Sequence, residues 1–513
     1  MIRRGISPTS GKIGRAVRNL KQYALIIGPL IAIAVYFLLP DSYLTPTGET
    51  VPLLHPAKAC CAVVVLMGIF WFTETIPIAA TAIIPIALFP VLGVASLKDT
   101  CIPYGSSTIF LFLGGFLLAA GIQRWNLDRR LALYTINMMG TKPQQISAGL
   151  MIATAMLAMW VSNTATAAMM VPIVSAILHL FRTECHGSRH TNRQEHNFAI
   201  CMLLGVAYGA SIGGMGTILG SPPNGIFVRF MEHTYNHFIS VLDWMKLGIP
   251  IMLILLGITW FLLNKVLYRD QISEIPGGRQ WIQNEIKKLG PMTRGEKFVL
   301  GIFLFTVLLW ISNPYLKMIT LDGGVKPFGG LSDASIAITG GLLLFIMPLN
   351  GKFNQRPLTW EQCRQLPLGL LLLFGGGLSM AAAITKTGLD GLLSAQVAAL
   401  AGMPSFVVIL GITALVVFAT EITSNTALAA TMIPLISVAA APIGMQAEVL
   451  LLATTFGCSA AFMIPVATPP NAIVFSTGHI RIGEMIKAGF WLNLISIIVI
   501  AVVCWLGSGI IAG

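Results

Sequence analysis

Apolar stretches of about 20 residues, the length that carries an α-helix across a hydrocarbon core, follow one another from Tyr23 to Ile511 with few charged side chains inside them. Lipid offers no hydrogen-bond partners, so each stretch has to satisfy its own backbone, and a helix does this within one segment. That constraint points to one fold class, an all-α polytopic membrane protein. Composition agrees: 55% of the 513 residues are hydrophobic and 10% are charged, where a soluble domain carries about 25% charged residues. The net charge of +12 is therefore read loop by loop and is no argument for a nucleic-acid partner.

Eleven spans are expected, near 22–40, 57–73, 76–94, 107–124, 198–228, 245–267, 296–312, 333–349, 367–386, 447–477 and 485–511, with 198–228 and 447–477 interrupted. Two further apolar segments, 146–181 and 404–441, read as re-entrant hairpins that enter and leave on one side. The first 21 residues carry a basic stretch without a small-residue cleavage site and read as a cytoplasmic tail. With that end inside a bacterial plasma membrane, 25 of the 32 Lys and Arg fall in cytoplasmic loops and seven outside. Positive loops are retained in the cytoplasm, so the bias supports this topology. It places the C-terminus outside, opens the first hairpin to the cytoplasm and opens the second to the exterior.

The chain also repeats. "SNTATAAMMVPI" (Ser162–Ile173) and "SNTALAATMIPL" (Ser424–Leu435) agree at eight of twelve positions and lie 262 residues apart. "GGFLLAAGIQRWNLD" (Gly114–Asp128) and "GGLSMAAAITKTGLD" (Gly376–Asp390) share that shift. "GSPPNGI" (Gly220–Ile226) pairs with "ATPPNAI" (Ala467–Ile473) at a shift of 247, and the extra loop Arg182–Asn197 in the first half accounts for the difference. The expected organisation is a leading span and external loop (22–56), a first repeat (57–268), a cytoplasmic connector (269–295) and a second repeat (296–513). Each repeat holds five spans and one hairpin. Five is odd, so the second repeat sits upside down relative to the first. Inverted repeats of this kind mark transporters, with the site near the bilayer midplane.

The triplets have a chemical reading. A hairpin that stops inside the membrane leaves backbone groups unpaired, which lipid does not tolerate but a polar cavity uses as ligands. Ser, Asn and Thr supply neutral donors and acceptors, and helix N-termini beside them favour anions. Pro222-Pro223 and Pro469-Pro470 are expected to break their spans and free carbonyls, hard oxygens suited to a small cation. The small-residue run Gly209–Gly216 permits close packing there. No Lys or Arg lies in the centre of either hairpin or in either proline break. A multivalent anion bound here then takes its compensating charge from bound cations, which couples the two ligands.

The two Ser-Asn-Thr triplets, the "SPPN"/"TPPN" pair and "WFTETIPIAATAIIPIALFP" (Trp71–Pro90) together resemble the divalent-anion/sodium symporter family, over nearly the whole chain after the first span. The resemblance implies sodium-coupled di- or tricarboxylate transport, a homodimer and an elevator-type motion of a transport domain. It implies one sodium site at Ala158, Ser162, Asn163 and Gly220, and a second at Thr420, Thr423, Asn425 and Ala467. It implies a dicarboxylate held between Asn163, Thr164, Ser221 and Pro222 on one side and Ser424, Asn425, Thr426, Thr468 and Pro469 on the other. Family members often have Ser where this chain has Ala158.

Other polar residues have plainer readings. Glu421, three residues before Ser424, is either a proton-linked carboxylate or a structural hydrogen-bonding group. Glu74 is read as a capping or packing residue, and Asp128 and Asp390 as N-caps. Cys185, His186, His190 and His196, and the pair His233 and His237, lack a completed ligand set and read as solvated loop residues. The cysteines read as small apolar side chains. No nucleophile–base pair and no GxxxxGK[ST] loop is present, which argues against an enzyme and an ATP-driven pump. The favoured function is sodium-coupled uptake of C4 dicarboxylates (succinate, malate, fumarate) without an organic cofactor. Sodium-independent exchange of dicarboxylates, citrate or 2-oxoglutarate by the same fold is the alternative.

Overall fold

The structure is a computed structural model that describes residues 8–44, 49–184, 192–269, 277–321, 324–350, 354–397 and 402–507. The chain divides into two compact units, and neither unit is a single repeat.

The first unit comprises residues 1–106, 369–403 and 426–447. It holds α1 (Pro8–Leu38), α2 (His55–Thr73), the short helices α3 (Ile78–Thr81), α4 (Ile84–Val91) and α5 (Leu97–Cys101), and later helices named below. The span expected at 76–94 is therefore two short helices. Pro85 near the start of α4 lacks the N–H that would continue the helix through Ala82 and Ile83. An antiparallel two-stranded ribbon, Ser42–Leu44 with Thr50–Pro52, lies in the loop after α1 and is an addition to the all-helical expectation. Glu74 caps α2 in the left-handed conformation (φ 47°) and pairs with Lys21 at 3.5 Å, a capping role.

The second unit comprises residues 107–368, 404–425 and 448–513. It begins with α6 (Ser107–Arg124), α7 (Leu127–Met139), α8 (Pro143–Ala158), α9 (Asn163–Glu184), α10 (Asn192–Gly213), α11 (Pro222–Tyr235) and α12 (Val241–Phe261), which ends in a π-turn at Leu262–Leu267. The connector forms α13 (Gly278–Leu289), followed by α14 (Arg294–Leu316) and α15 (Asp333–Ile346). The second series is α16 (Gly369–Thr387), α17 (Leu389–Val397), α18 (Ser405–Thr420), α19 (Asn425–Ile443), α20 (Ala447–Ser459), α21 (Pro469–Ser476) and α22 (Ile482–Leu506). Of these, α16, α17 and nearly all of α19 belong to the first unit and the others to the second.

Ten helices among the described residues are long and apolar enough to cross a membrane, and eight of them fall on spans expected from the sequence. The other two are Asn163–Arg182 and Asn425–Ile443, so the second arm of each expected hairpin has span length. Two expected spans are shorter: α15 has 14 residues, and α20 stops at Ser459 ahead of the second break. Burial separates the helices by role. α10 is buried along nearly its whole length, whereas α1 and α14 are largely exposed and present apolar side chains such as Leu304, Phe305 and Leu308 outward, as lipid-facing helices do.

Matching positions in the two series do matching work. The Gly-Gly that opens each long repeat brings helices into backbone contact: a methyl group on Gly114 would lie 2.4 Å from Ala337 C, and one on Gly376 would lie 2.3 Å from Ala82 O. Only glycine fits such an approach. The last helices, α12 and α22, also correspond. Asp243 accepts the Ser240 N–H (3.3 Å) and Glu484 accepts the Arg481 N–H (2.8 Å), each three residues into its helix. Gly248 and Gly489 then press onto Met215 O and Phe462 O, where a methyl group would come within 2.5 and 2.2 Å. Asp128 and Asp390 are not N-caps. Each lies second in its helix, and Asp128 accepts the Arg129 N–H (2.8 Å) as Asp390 accepts that of Gly391 (2.9 Å). Arg130 and Glu296 form a buried ion pair (2.7 Å), and Arg130 also donates to Leu289 O and Gly290 O, tying α7 to the end of the connector helix.

Candidate functional site

Each Ser-Asn-Thr triplet sits at a tight turn between helices: α8 ends at Ala158 before α9 starts at Asn163, and α18 ends at Thr420 before α19 starts at Asn425. Ser162 accepts the Ala165 N–H at 3.4 Å, a helix-capping bond. The proline pairs open helices rather than interrupt them, because Pro222 and Pro469 are the first residues of α11 and α21. The first helical position needs no N–H donor, so proline fits there. The non-helical segments precede the prolines, at 214–221 and 460–468.

The asparagine after each proline pair braces its break. Asn224 Nδ2 donates to Gly214 O (2.9 Å) and Thr217 O (2.7 Å), and Asn471 Nδ2 donates to Ala461 O and Ile464 O, both at 3.2 Å. The four acceptors are related by the same shift of 247 as the donors. Both asparagines are fully buried. Their signal in the sequence is the third letter of PPN, which the span-breaking argument about proline does not use.

In the first half, oxygens crowd around two glycines. A methyl group on Gly220 would lie 2.6 Å from Gly214 O and 2.9 Å from Ala158 O. One on Gly214 would lie 2.7 Å from Asn163 Oδ1 and 3.0 Å from Gly220 O. Asn163 Oδ1 is buried and has no hydrogen-bond partner among the described residues. Carbonyl oxygens beside an amide oxygen that has no donor suit a small hard cation. The Thr217 hydroxyl donates to Met159 O and accepts the Gly220 N–H (3.1 Å), which holds the break against the triplet turn.

The second half fills the same frame differently. Thr420 takes the place of Ala158, and its hydroxyl lies 2.7 Å from Asn425 Oδ1 and 3.0 Å from Cys458 O, sharing one proton between them. The Thr423 hydroxyl turns back to Ala419 O at 3.0 Å. Thr468 caps α21 by accepting the Asn471 N–H (3.4 Å), and Ala467 is buried beside it. Ser221 Oγ lies 3.2 Å from Ser459 Oγ, so the first break meets the end of α20 and brings in Ser459, a residue the motifs do not mark. Thr164 and Pro469 are exposed, Pro222 and Ser424 are half-buried, and Thr426 is the first residue of its segment of the other unit.

Glu421 makes the bonds expected of a structural hydrogen-bonding group. Its Oε1 accepts N–H groups from Phe462 (2.7 Å) and Met463 (2.8 Å) and the Asn493 amide (2.7 Å), and its Oε2 accepts from Ile464 (3.2 Å). The carboxylate thus latches the turn of the second triplet to the second break. Tyr208 adds a bond to Phe462 O at 2.9 Å.

The expected solvated histidines are partly engaged. His196 pairs with Glu484 (2.7 Å) and His237 with Glu448, each linking the first series to the second. No group of three metal-ligating side chains occurs among the described residues, and Cys185, His186 and His190 lie outside them. Outside the spans, burial pushes the Asp128 carboxyl up to about 6 against the opposing Arg129 N–H.

The chain is 37% identical over 483 residues to a sodium-dependent dicarboxylate transporter, SdcS, of Staphylococcus saprophyticus, covering 94% of this chain and 90% of that protein. It is 38% identical over 495 residues to SdcS of Staphylococcus aureus, covering 95% and 91%. Two solved structures share the fold at 13% identity: the YdaH transporter of Alcanivorax borkumensis (TM-score 0.60, 96% of this chain and 98% of that one) and MtrF of Neisseria gonorrhoeae (TM-score 0.57, 95% and 94%). Residues 21–511 match the family described as the sodium:sulfate symporter transmembrane region, and the chain belongs to that family.

Proposed function

We propose that this protein is a secondary active transporter that carries C4 dicarboxylates such as succinate into the cell together with sodium. One observation carries the reading: Asn163 Oδ1 is a buried acceptor without a donor, set among Ala158, Gly214 and Gly220 carbonyls. A sodium ion among these oxygens satisfies the amide oxygen, which no donor of the described residues reaches. The relatives described as sodium-dependent dicarboxylate transporters support both ligands.

In this reading the first cation is held by Ala158, Ser162, Asn163 and Gly220, and the second by Thr420, Thr423, Asn425 and Ala467. The dicarboxylate lies between Asn163, Thr164, Ser221 and Pro222 and Ser424, Asn425, Thr426, Thr468 and Pro469, near the starts of α9, α11, α19 and α21, whose N–H ends favour anions. Without a fixed basic group in the triplets or breaks, sodium supplies the charge that retains the anion. The repeats lie inverted in a bacterial inner membrane, with the N-terminus cytoplasmic and the C-terminus external. A homodimer works by an elevator-type motion.

The test is uptake of labelled succinate by proteoliposomes holding the purified protein, with an inward sodium gradient or choline, and with or without internal dicarboxylate. Uptake that needs external sodium and no internal anion is expected. Uptake that ignores sodium and requires preloaded anion overturns symport in favour of exchange.

A further inference from the structure

Beside the first triplet the second unit holds a cavity of about 460 Å³, within the range of about 300–1,000 Å³ usual for small-molecule sites. It is lined by the last turns of α6, the start of α9, and Gln362, Leu366 and Pro367. Ser162 of the triplet opens into it. Among its described lining residues Arg124 alone is charged, and Gln123 and Gln362 add two amides. No carboxylate is among the described lining residues.

Arg124 is set in place rather than paired off. One guanidinium N–H, on Nη1, donates to Arg356 O (3.0 Å), and the group lies 5.3 Å from the Trp125 ring centroid. Trp125 is held in turn by its Nε1 bond to Pro357 O at 2.9 Å. The other N–H groups of Arg124 have no protein partner among the described residues. A guanidinium fixed on one edge and open on the other suits bidentate capture of a carboxylate.

We propose that this cavity is a second anion site, an antechamber in which a dicarboxylate is held by Arg124 and the Gln123 and Gln362 amides before or after it occupies the triplets. The proposal rests on the transport reading above: with the N-terminus cytoplasmic, the fourth expected span (107–124) ends and the ninth (367–386) begins on the cytoplasmic face, which puts Arg124 and Gln362 there. The division of labour follows from charge. The triplets hold the anion with sodium and neutral groups, so a basic side chain there would retain it when sodium leaves. At the mouth, one fixed positive charge raises the local anion concentration without sealing the exit.

The test measures succinate transport from each face in right-side-out and inverted membrane vesicles containing the full chain. Arg124→Gln is expected to raise the cytoplasmic-face KM about tenfold, with Arg124→Lys intermediate and the external-face KM within about twofold. Equal changes at both faces, or none, overturn the proposal. Where Arg124→Gln fails to fold, Gln362→Glu leaves the Arg124–Trp125 contact intact. It is expected to raise the cytoplasmic KM in the same direction, and an unchanged KM rejects the site. An independent readout separates this proposal from the transport reading. On a Gln123→Cys chain, an anionic thiosulfonate reagent is expected to outpace a cationic one of equal size, and Arg124→Gln is expected to collapse that ratio. A ratio indifferent to Arg124 rejects the antechamber whatever the vesicles carry. A collapsing ratio in vesicles that carry no succinate keeps the anion site and rejects the dicarboxylate reading.

Discussion

The two halves build the same backbone frame and secure it by different means. In the first half the triplet turn and its break are joined by one hydroxyl, Thr217 to Met159 O. In the second the Glu421 carboxylate bonds three consecutive N–H groups of the break and the Asn493 amide. The position that matches Glu421 at the shift of 262 is Met159, and the one that matches Asn493 at the shift of 241 relating Asp243 and Gly248 to Glu484 and Gly489 is Met252; neither carries such a group. Ala158 leaves Asn163 Oδ1 free, while Thr420 engages Asn425 Oδ1. Internal repetition kept the frame and not the fastening. The first half keeps a buried amide oxygen without a donor, and the second engages its counterpart with a hydroxyl.

Removing the brace gives the largest expected effect. Glu421→Ala strands three backbone N–H groups, each costing about 1–3 kcal/mol when buried unpaired. Succinate uptake is expected to fall about a hundredfold, with a lower melting temperature in detergent. Met159→Leu at the matching position is expected to change both little. Comparable losses at the two positions, measured by uptake and melting, would erase the asymmetry.

The asparagines sharpen the shared part of the frame. Asn224→Ala and Asn471→Ala each remove two bonds to a break, worth about 1 kcal/mol apiece with the carbonyls partly re-solvated. Both are expected to cut uptake about tenfold or more, and by similar factors. A loss confined to one variant would mean that only one break shapes the site.

The oxygen sets are tested by exchanging residues between the halves. Thr420→Ala makes the second set resemble the first, and Ala158→Thr does the reverse. Each is expected to shift the sodium concentration for half-maximal uptake about three- to tenfold, in opposite directions, because a hydroxyl that occupies the amide oxygen competes with the cation for it. Sodium titration of uptake at saturating succinate reads this out.

A smaller effect separates Asp128 from its mate Asp390, which is half-buried. Burial raises the folded-state carboxyl of Asp128 to about 6. Between the unfolded value and 6 the folded protein therefore binds more protons than the unfolded chain, and stability falls as pH rises through that window. Asp128→Asn keeps an acceptor for the Arg129 N–H. It is expected to flatten the fall and to stabilise the protein near neutral pH by about 2 kcal/mol. Melting temperature against pH from 4 to 7 checks it, and an unchanged slope rejects Asp128 as the source.

Membrane-spanning helices, the repeat and both triplets were legible in the chain itself, because lipid and internal duplication leave marks that are local in sequence. A run such as Tyr23–Leu38 has no other solution in hydrocarbon, and "SNT" or "PPN" twice over announces a shared task. Length also misled. The apolar run 76–94 reads as one span, yet it folds as two short helices around Ala82 and Ile83, because hydropathy does not count the N–H that Pro85 lacks. What only the tertiary structure decided is which polar atoms meet. Glu421 is 41 residues from Phe462 and 72 from Asn493, and nothing local distinguishes a carboxylate that carries protons from one that latches a backbone. Ser459 reaches Ser221 across 238 residues, and Arg124 shares a cavity with Ser162 and Gln362. Hydropathy and repetition act along the chain and are written in it, whereas hydrogen bonds and cavities depend on distances that exist only after the helices have packed.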